Sequence, residues 1–296
     1  MYRSSVLFLV LALWMPPAFA QETETEPAKS QAQQAAETSL KEQYEALVDE
    51  FSAAREKFTL EYRQATTDKQ RQKVLQELYP RPEKFADRFL KLASDHPEDP
   101  VAVDALVWIL SNVRSGPTIA QATAILAEHH LDDKRLGQVA LTLIYTQAAG
   151  TEGFLRKLLE ESPHEDVRGK ACYALAKYLN SSAEILRQIA DRPELAQYVE
   201  RQFGKEFAKR LASSDEDAIK EEVEILFQRV VDEFGDVASG RGATLGDVAG
   251  RDLFEIQHLA IGQIAPEIEG EDVDGVHFKL SDYRGKVVAL DFWGNW

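Results

Sequence analysis

Apolar residues in the first half of the chain recur with a helical period. Leu40, Tyr44, Leu47, Phe51, Ala54 and Phe58 alternate intervals of four and three, which places them on one stripe of a long amphipathic helix. Ser39, with Glu42 three residues on, forms a capping-box pattern and predicts the start of that helix. Fewer than three strict heptads are present, so the stripe is expected to pack on its own body rather than form a coiled-coil seam. Pro82 and Pro100 suit first-turn positions, and Asp99 can cap the helix that Pro100 opens. Gly150 and Asn180 read as helix stops. No alternating strand pattern interrupts Ser39 to Phe234, and roughly ten helical segments fit there. The body is predicted to be all-α.

Two stretches resemble copies of one unit. Pro97 to Leu110 (PEDPVAVDALVWIL) aligns with Pro163 to Ala176 (PHEDVRGKACYALA) at an offset of 66 residues, matching Val101 to Val167 and Ala105 to Ala171. A helix start followed by an apolar face with a small residue at the point of closest approach suits solenoid-like antiparallel helix pairs, each burying a face it cannot bury alone. Chance similarity of two amphipathic helices is the alternative.

The pattern changes near the C-terminus. Gly235, Gly240, Gly242, Gly246 and Gly250 cluster in a chain of only 16 glycines, which marks a boundary. Thr244 and Asp247 can cap a helix over 245–259. Beyond it, Val276 to Leu280 alternates with period two, Tyr283 to Lys286 supplies a turn, and Val287 to Trp293 reads as an apolar strand carrying one carboxylate, Asp291.

Composition narrows the function classes. A net charge of -16 and a pI near 4.9 leave no broad basic face, so no nucleic-acid partner is expected. Met1 to Ala20 has Arg3, the apolar run Val6 to Met15 and the small residues Ala18 and Ala20, as a secretory signal does. The run is too short to cross a hydrocarbon core of about 30 Å, and no longer one follows, so no transmembrane segment is expected after signal removal. An uncleaved anchor is the alternative. Removing Arg3 without any acid would take the charge from -16 to -17. Gln21 to Thr38 lacks large apolar residues and is expected to be a disordered leader. The expected organisation is therefore a signal at 1–20, a leader at 21–38, a helical domain at 39–259 and a different unit at 260–296.

The last unit carries an ordered series: Ile261-Gly262-Gln263-Ile264-Ala265-Pro266, then Asp274-Gly275, then Phe278-Lys279-Leu280-Ser281-Asp282-Tyr283-Arg284-Gly285-Lys286, and finally Asp291-Phe292-Trp293-Gly294-Asn295-Trp296. It resembles the opening of a thioredoxin-like domain of the redoxin family, which includes the alkyl hydroperoxide reductase and thiol-specific antioxidant (AhpC/TSA) proteins and the exported thiol:disulfide interchange proteins. The resemblance implies an exported, periplasmic or secreted thiol-disulfide oxidoreductase or antioxidant, whose α/β domain would begin in this short β segment. It also implies that a C-x-x-C pair follows the position of Trp296. Asp291, Phe292, Trp293 and Trp296 would flank that site, with Asp291 at the place of a buried proton-moving carboxylate. Glu267-Ile268 stands where acidic-aromatic is common in the family, and Gly294 where Ala is common.

One cysteine in 296 residues excludes a two-cysteine reaction within this sequence, so the domain is expected to be truncated and redox-inactive, with no catalytic residue, cofactor or metal. The alternative is a helical-repeat protein-interaction module in the periplasm with a vestigial redoxin segment. Cys172 shares a face with Ala171, Leu175 and Leu179, where a small buried hydrophobe is expected. His129 and His130 end a helix near two aspartates, but adjacent helical side chains diverge by about 100° and cannot readily share one ion. Expected partners are a protein bound through the helical body and a second copy associating through Lys286 to Trp296.

Overall fold

The computed structural model describes residues 27–240, 242–260 and 263–291, with side-chain surroundings from residue 39 onward. The expected signal, residues 21–26 of the expected leader and Phe292 to Trp296 therefore lie outside the described residues.

Among the described residues, eleven α-helices precede residue 235: α1 (Pro27–Gln64), α2 (Asp68–Leu78), α3 (Pro82–Asp95), α4 (Pro100–Asn112), α5 (Pro117–His129), α6 (Leu136–Leu143), α7 (Thr151–Glu161), α8 (Glu165–Asp191), α9 (Leu195–Phe203), α10 (Lys205–Ala212) and α11 (Glu216–Phe234). The prolines act as expected. Pro82, Pro100 and Pro117 each open a helix, where a missing N–H costs nothing. Asp99 Oδ1 accepts from the Val101 N–H at 2.8 Å. Thr67 and Gln70 cap α2 reciprocally.

Three boundaries differ from expectation. Gly150 does not end a helix: α6 has already stopped at Leu143, short of the apolar run's end, and Gly150, at φ 85°, turns the chain into α7. α1 begins at Pro27 rather than Ser39, so 27–38 is helix and not disordered leader, and the Ser39–Glu42 pattern lies inside it. Ala, Gln and Glu between Pro27 and Thr38 are strong helix formers with no Gly or Pro after Pro27, and they extend the helix in phase. Nor does Asn180 end a helix, since α8 continues to Asp191. Ser182 and Ala183 are buried beyond it, and that packing outweighs the modest preference of a single Asn.

Short connections lay consecutive helices back to back. α3, α5 and α7 adjoin one another in one layer, while α4, α6, α8 and α11 form a second, with α12 (Leu245–Phe254) packed on α11. This is a mainly α, solenoid-like stack. The 66-residue offset spans two steps of the inner row, from α4 through α6 to α8, and Ala105 and Ala171 are both fully buried. α6, which the sequence comparison did not pick out, supplies the step between. A Cβ on Gly137 would lie 3.5 Å from the Val167 backbone of α8, and one on Gly169 would lie 2.9 Å from Phe234 Cβ of α11. Small residues thus set the spacing of successive inner helices.

Two histidines tie successive turns together. His130 Nε2 lies 2.6 Å from the Pro97 carbonyl, and His164 Nε2 lies 2.7 Å from the Asp132 carbonyl. In the Nε2–H tautomer each donates to the turn before it. On the opposite side, Arg156 donates to Glu152 and, at 2.6 Å, to Glu222, while Arg210 bridges Glu152 and the hydroxyl of fully buried Tyr178. These contacts join α7, α8, α10 and α11.

Every buried residue among those described lies between Leu40 and Leu253. A chain ending at Leu259 should therefore keep its far-UV helical signal and melt in one cooperative transition. A broad, non-cooperative melt would show that residues after 259 complete the core.

Candidate functional site

The C-terminal motif segment is attached through α12. Thr244 accepts from the Asp247 N–H at 3.2 Å, and Asp247 accepts from the Thr244 N–H at 2.9 Å, the reciprocal cap expected from sequence. Gly246 N–H donates to Gly235 O at 3.0 Å, and a Cβ on Gly246 would meet the Gly235 backbone at 3.0 Å. Here glycine permits α12 to fold back along α11. Asp252 then fastens it to α8, with Oδ2 accepting from Tyr173 Oη at 2.9 Å and Oδ1 from Lys177 Nζ at 2.8 Å. Burial, with the Asp252 charge beside it, pushes the Tyr173 hydroxyl well above the usual phenol range.

The helix expected over 245–259 keeps α geometry only to Phe254 and closes with a π-helical turn, Glu255–Leu259. This turn, α8 and α11 bound a cleft of about 500 Å³ lined by Lys177, Arg187 and Lys220 and by the more numerous acids Glu184, Glu216, Glu224, Asp252 and Glu255. Lys177 is engaged with Asp252, and Lys220 pairs with Glu216.

Beyond the cleft, β1 (Glu269–Glu271) and β2 (His277–Lys279) pair antiparallel, with Gly270 opposite Phe278. The strand expected over 276–280 is thus present in shortened form. Its Asp-Gly signal has a clear cause: Asp272 Oδ1 accepts from the N–H groups of Asp274 and Val276 at 2.9 Å each, and Gly275 turns the chain at φ 78°. Leu280–Tyr283 forms a 3₁₀ turn whose Ser281 N–H donates to Glu267 Oε1 at 2.9 Å. The Ser281 side chain, and then its backbone N–H, hold the Glu267 carboxyl below the usual carboxylate range. The Leu-Ser-Asp-Tyr-Arg-Gly run therefore encodes a turn.

The strand expected over 287–293 is not formed in its described part. Val287 to Asp291 is irregular, and Val287, Val288 and Leu290 are exposed. No described residue from 263 to 291 is buried, and no neighbouring strand among them lies alongside to supply a ladder. Asp291 is exposed rather than set in an apolar strand, so the desolvation cost expected of it does not arise. Phe292, Trp293 and Trp296 lie outside the described residues.

Cys172 is fully buried on α8, with Sγ 3.6 Å from the Leu226 carbonyl, and burial pushes its thiol up to about 12. Below that value it is a neutral thiol and not a nucleophile. Alkylation of Cys172 by iodoacetamide at pH 8 should follow global unfolding, and its rate should rise steeply only in denaturant. Rapid labelling of the folded chain would contradict this burial. The raised value also makes the folded state bind the proton more tightly than the unfolded one, so this group's contribution is complete below pH ~8.5 and is lost as pH rises towards 12. His129 ends α5 as expected, and the His129 and His130 rings stand 6.3 Å apart, with His130 committed to Pro97.

A stretch of 38 residues is 47% identical to Thiol-disulfide oxidoreductase ResA of Geobacillus thermodenitrificans (strain NG80-2), covering 13% of this chain and 22% of that protein. Over 38 residues it is 50% identical to Thiol-disulfide oxidoreductase ResA of Geobacillus kaustophilus (strain HTA426), with the same coverage. The chain thus spans about a fifth of the length of these curated relatives. No family model matches the chain, and no solved structure matches it. The short similarity relates part of the chain to thiol-disulfide oxidoreductases of thioredoxin-like kind.

Proposed function

We propose that this chain belongs with the exported, periplasmic thioredoxin-like thiol-disulfide oxidoreductases, and that its helical body is a module set ahead of the opening of the redox domain. The observation that carries the reading is the ordered motif series from Ile261 to Trp296, supported by the 38-residue similarity. The segment behaves as one part of a larger unit would, with its turns encoded locally and none of its described residues from 263 to 291 buried.

Dithiol exchange needs one thiolate to attack a disulfide and a second thiol to resolve the mixed disulfide. The sequence holds one cysteine, and it is buried in the helical body. The full chain should therefore show no dithiol-dependent reduction of insulin and no peroxidase turnover. Turnover abolished by Cys172→Ser would sink that expectation. The family reading itself is tested by sequencing the gene beyond the Trp296 codon. An in-frame or frame-shifted Cys-x-x-Cys followed by about a hundred residues is expected; its absence in every frame would overturn the reading.

A second reading rests on the core being confined to Leu40–Leu253. In it the helical body acts alone as a protein-binding module, and the redoxin-like segment is vestigial. The same sequencing separates the two.

A further inference from the structure

α9 is a nine-residue helix with Leu195, Tyr198, Val199 and Phe203 on one face, yet only Val199 is buried. That face stands opposite Ile185 and Ile189 of α8 across a trough of about 200 Å³, in which Gln188 is the sole polar lining residue. Ile185 and Phe203 continue into an adjoining hollow of about 300 Å³ bordered by Tyr145, which is 80% exposed. So short a helix is marginal alone, and an apolar trough whose Leu195, Phe203, Ile185 and Ile189 are half-exposed, flanked by exposed Tyr198 and Tyr145, marks a docking site.

We propose that the occupant is the Val287–Leu290 stretch of a second copy of this chain, each copy seating its stretch in the other's α8–α9 trough. The stretch is apolar, exposed and outside any helix or strand in the described structure. Its length suits the site: four extended residues span about 13 Å, and the eight steps from Leu195 to Phe203 rise about 12 Å. Charge sets the direction. Copies of a chain carrying -16 repel one another, but Arg284 and Lys286 immediately precede the stretch. Asp191, the last residue of α8, and Glu194, just before α9, with Arg192 between them, stand at the end of the trough where α8 meets α9. Lys286 therefore enters at the Asp191–Glu194 end, and Leu290 points towards Phe203. Reciprocal seating of this kind makes a closed two-fold dimer rather than the open-ended assembly that strand addition at an edge would give.

The test is size-exclusion chromatography with light scattering on the full chain over a tenfold concentration range. A dimer is expected, and Val288→Asp with Leu290→Asp should leave a monomer. Lys286→Glu should raise the dimer dissociation constant at least tenfold, and combining it with Glu194→Lys should restore it to within about threefold. These two substitutions fall on exposed positions, and an unchanged far-UV spectrum and melt will confirm that the variants fold. A monomeric full chain overturns the proposal, as do assemblies larger than a dimer or a charge swap without rescue. Light scattering on this 296-residue sequence and sequencing beyond the Trp296 codon are separate measurements, so the proposal and the oxidoreductase reading fail separately.

Discussion

Phe89→Ala should destabilise the chain by about 3–5 kcal/mol, the range for removing a fully buried aromatic side chain and leaving its cavity. Phe89 is fully buried on α3, stacked on Trp108 of α4 at 4.1 Å between ring centroids and in edge contact with Tyr44 of α1 at 5.7 Å. Phe51 reaches the same Trp108 at 4.9 Å, edge to face. One ring therefore holds three helices, and aromatic pairs of this geometry contribute about 0.5–1.5 kcal/mol each beyond the area they bury. Small residues surround the site only in part, with Ala86 and Ala93 on α3 itself, so collapse around the cavity is restricted. Urea denaturation should show a lower midpoint with the slope unchanged. A loss below 1 kcal/mol would mean that α1 is not held by this cluster.

Gly169→Leu should cost about 1–3 kcal/mol through overpacking, and it should do so although leucine is the better helix former by most of 1 kcal/mol. A Cβ at residue 169 would already lie 2.9 Å from Phe234 Cβ and 3.0 Å from Phe234 Cγ. Phe234 is buried at the end of α11, so it cannot swing clear as the end of a flexible surface chain would. The branched Leu side chain must push α11 away from α8. The control is Gly153→Ala on α7, where nothing lies within 4 Å of the added Cβ; there the gain in helix propensity should appear as a small stabilisation. Calorimetry of the two variants should give shifts of opposite sign. A stabilised Gly169→Leu would show that α8 and α11 do not meet at this point.

Much of the helical body was legible because its signals are local. Pro82 and Pro100 open helices where proline is tolerated, Asp99 caps as its type allows, and Leu47 and Phe51 bury the stripe their spacing describes. Cys172 lies on the buried face that its neighbours indicate. Boundaries decided by tertiary packing were not legible: α8 runs through Asn180 because Ser182 and Ala183 are buried further on. α6 was not picked out by the repeat comparison, although Gly137 on it and Gly169 on α8 each admit a close neighbouring helix.

The C-terminal segment divides along the same line. Asp274-Gly275 and the Leu280–Tyr283 turn form because their hydrogen bonds close within a few residues. The expected strand through Val287 to Asp291 needs a neighbour to pair with, and apolar alternation cannot supply one. The α8–α9 trough was invisible for a related reason. The spacing of Leu195, Tyr198, Val199 and Phe203 is that of an ordinary core stripe, and only the folded chain, with Tyr198 exposed and Leu195 and Phe203 half-buried, shows that it is left partly uncovered.

The packing of α8 directly on α11, with α9 and α10 carried between them in sequence, bears on the time course of folding. Helix pairs α3–α4 and α7–α8 meet across connections of a few residues, so their closure costs little chain entropy and runs on the fast timescale of local contacts. The α8–α11 contact must close a loop from Asp191 to Glu216, a longer step than either of those pairs, as the α1–α4 and α4–α6 contacts also are. Carrying α9 and α10 between α8 and α11 therefore lengthens a loop whose closure entropy grows only slowly with length, so its expected mark is a modestly slower refolding.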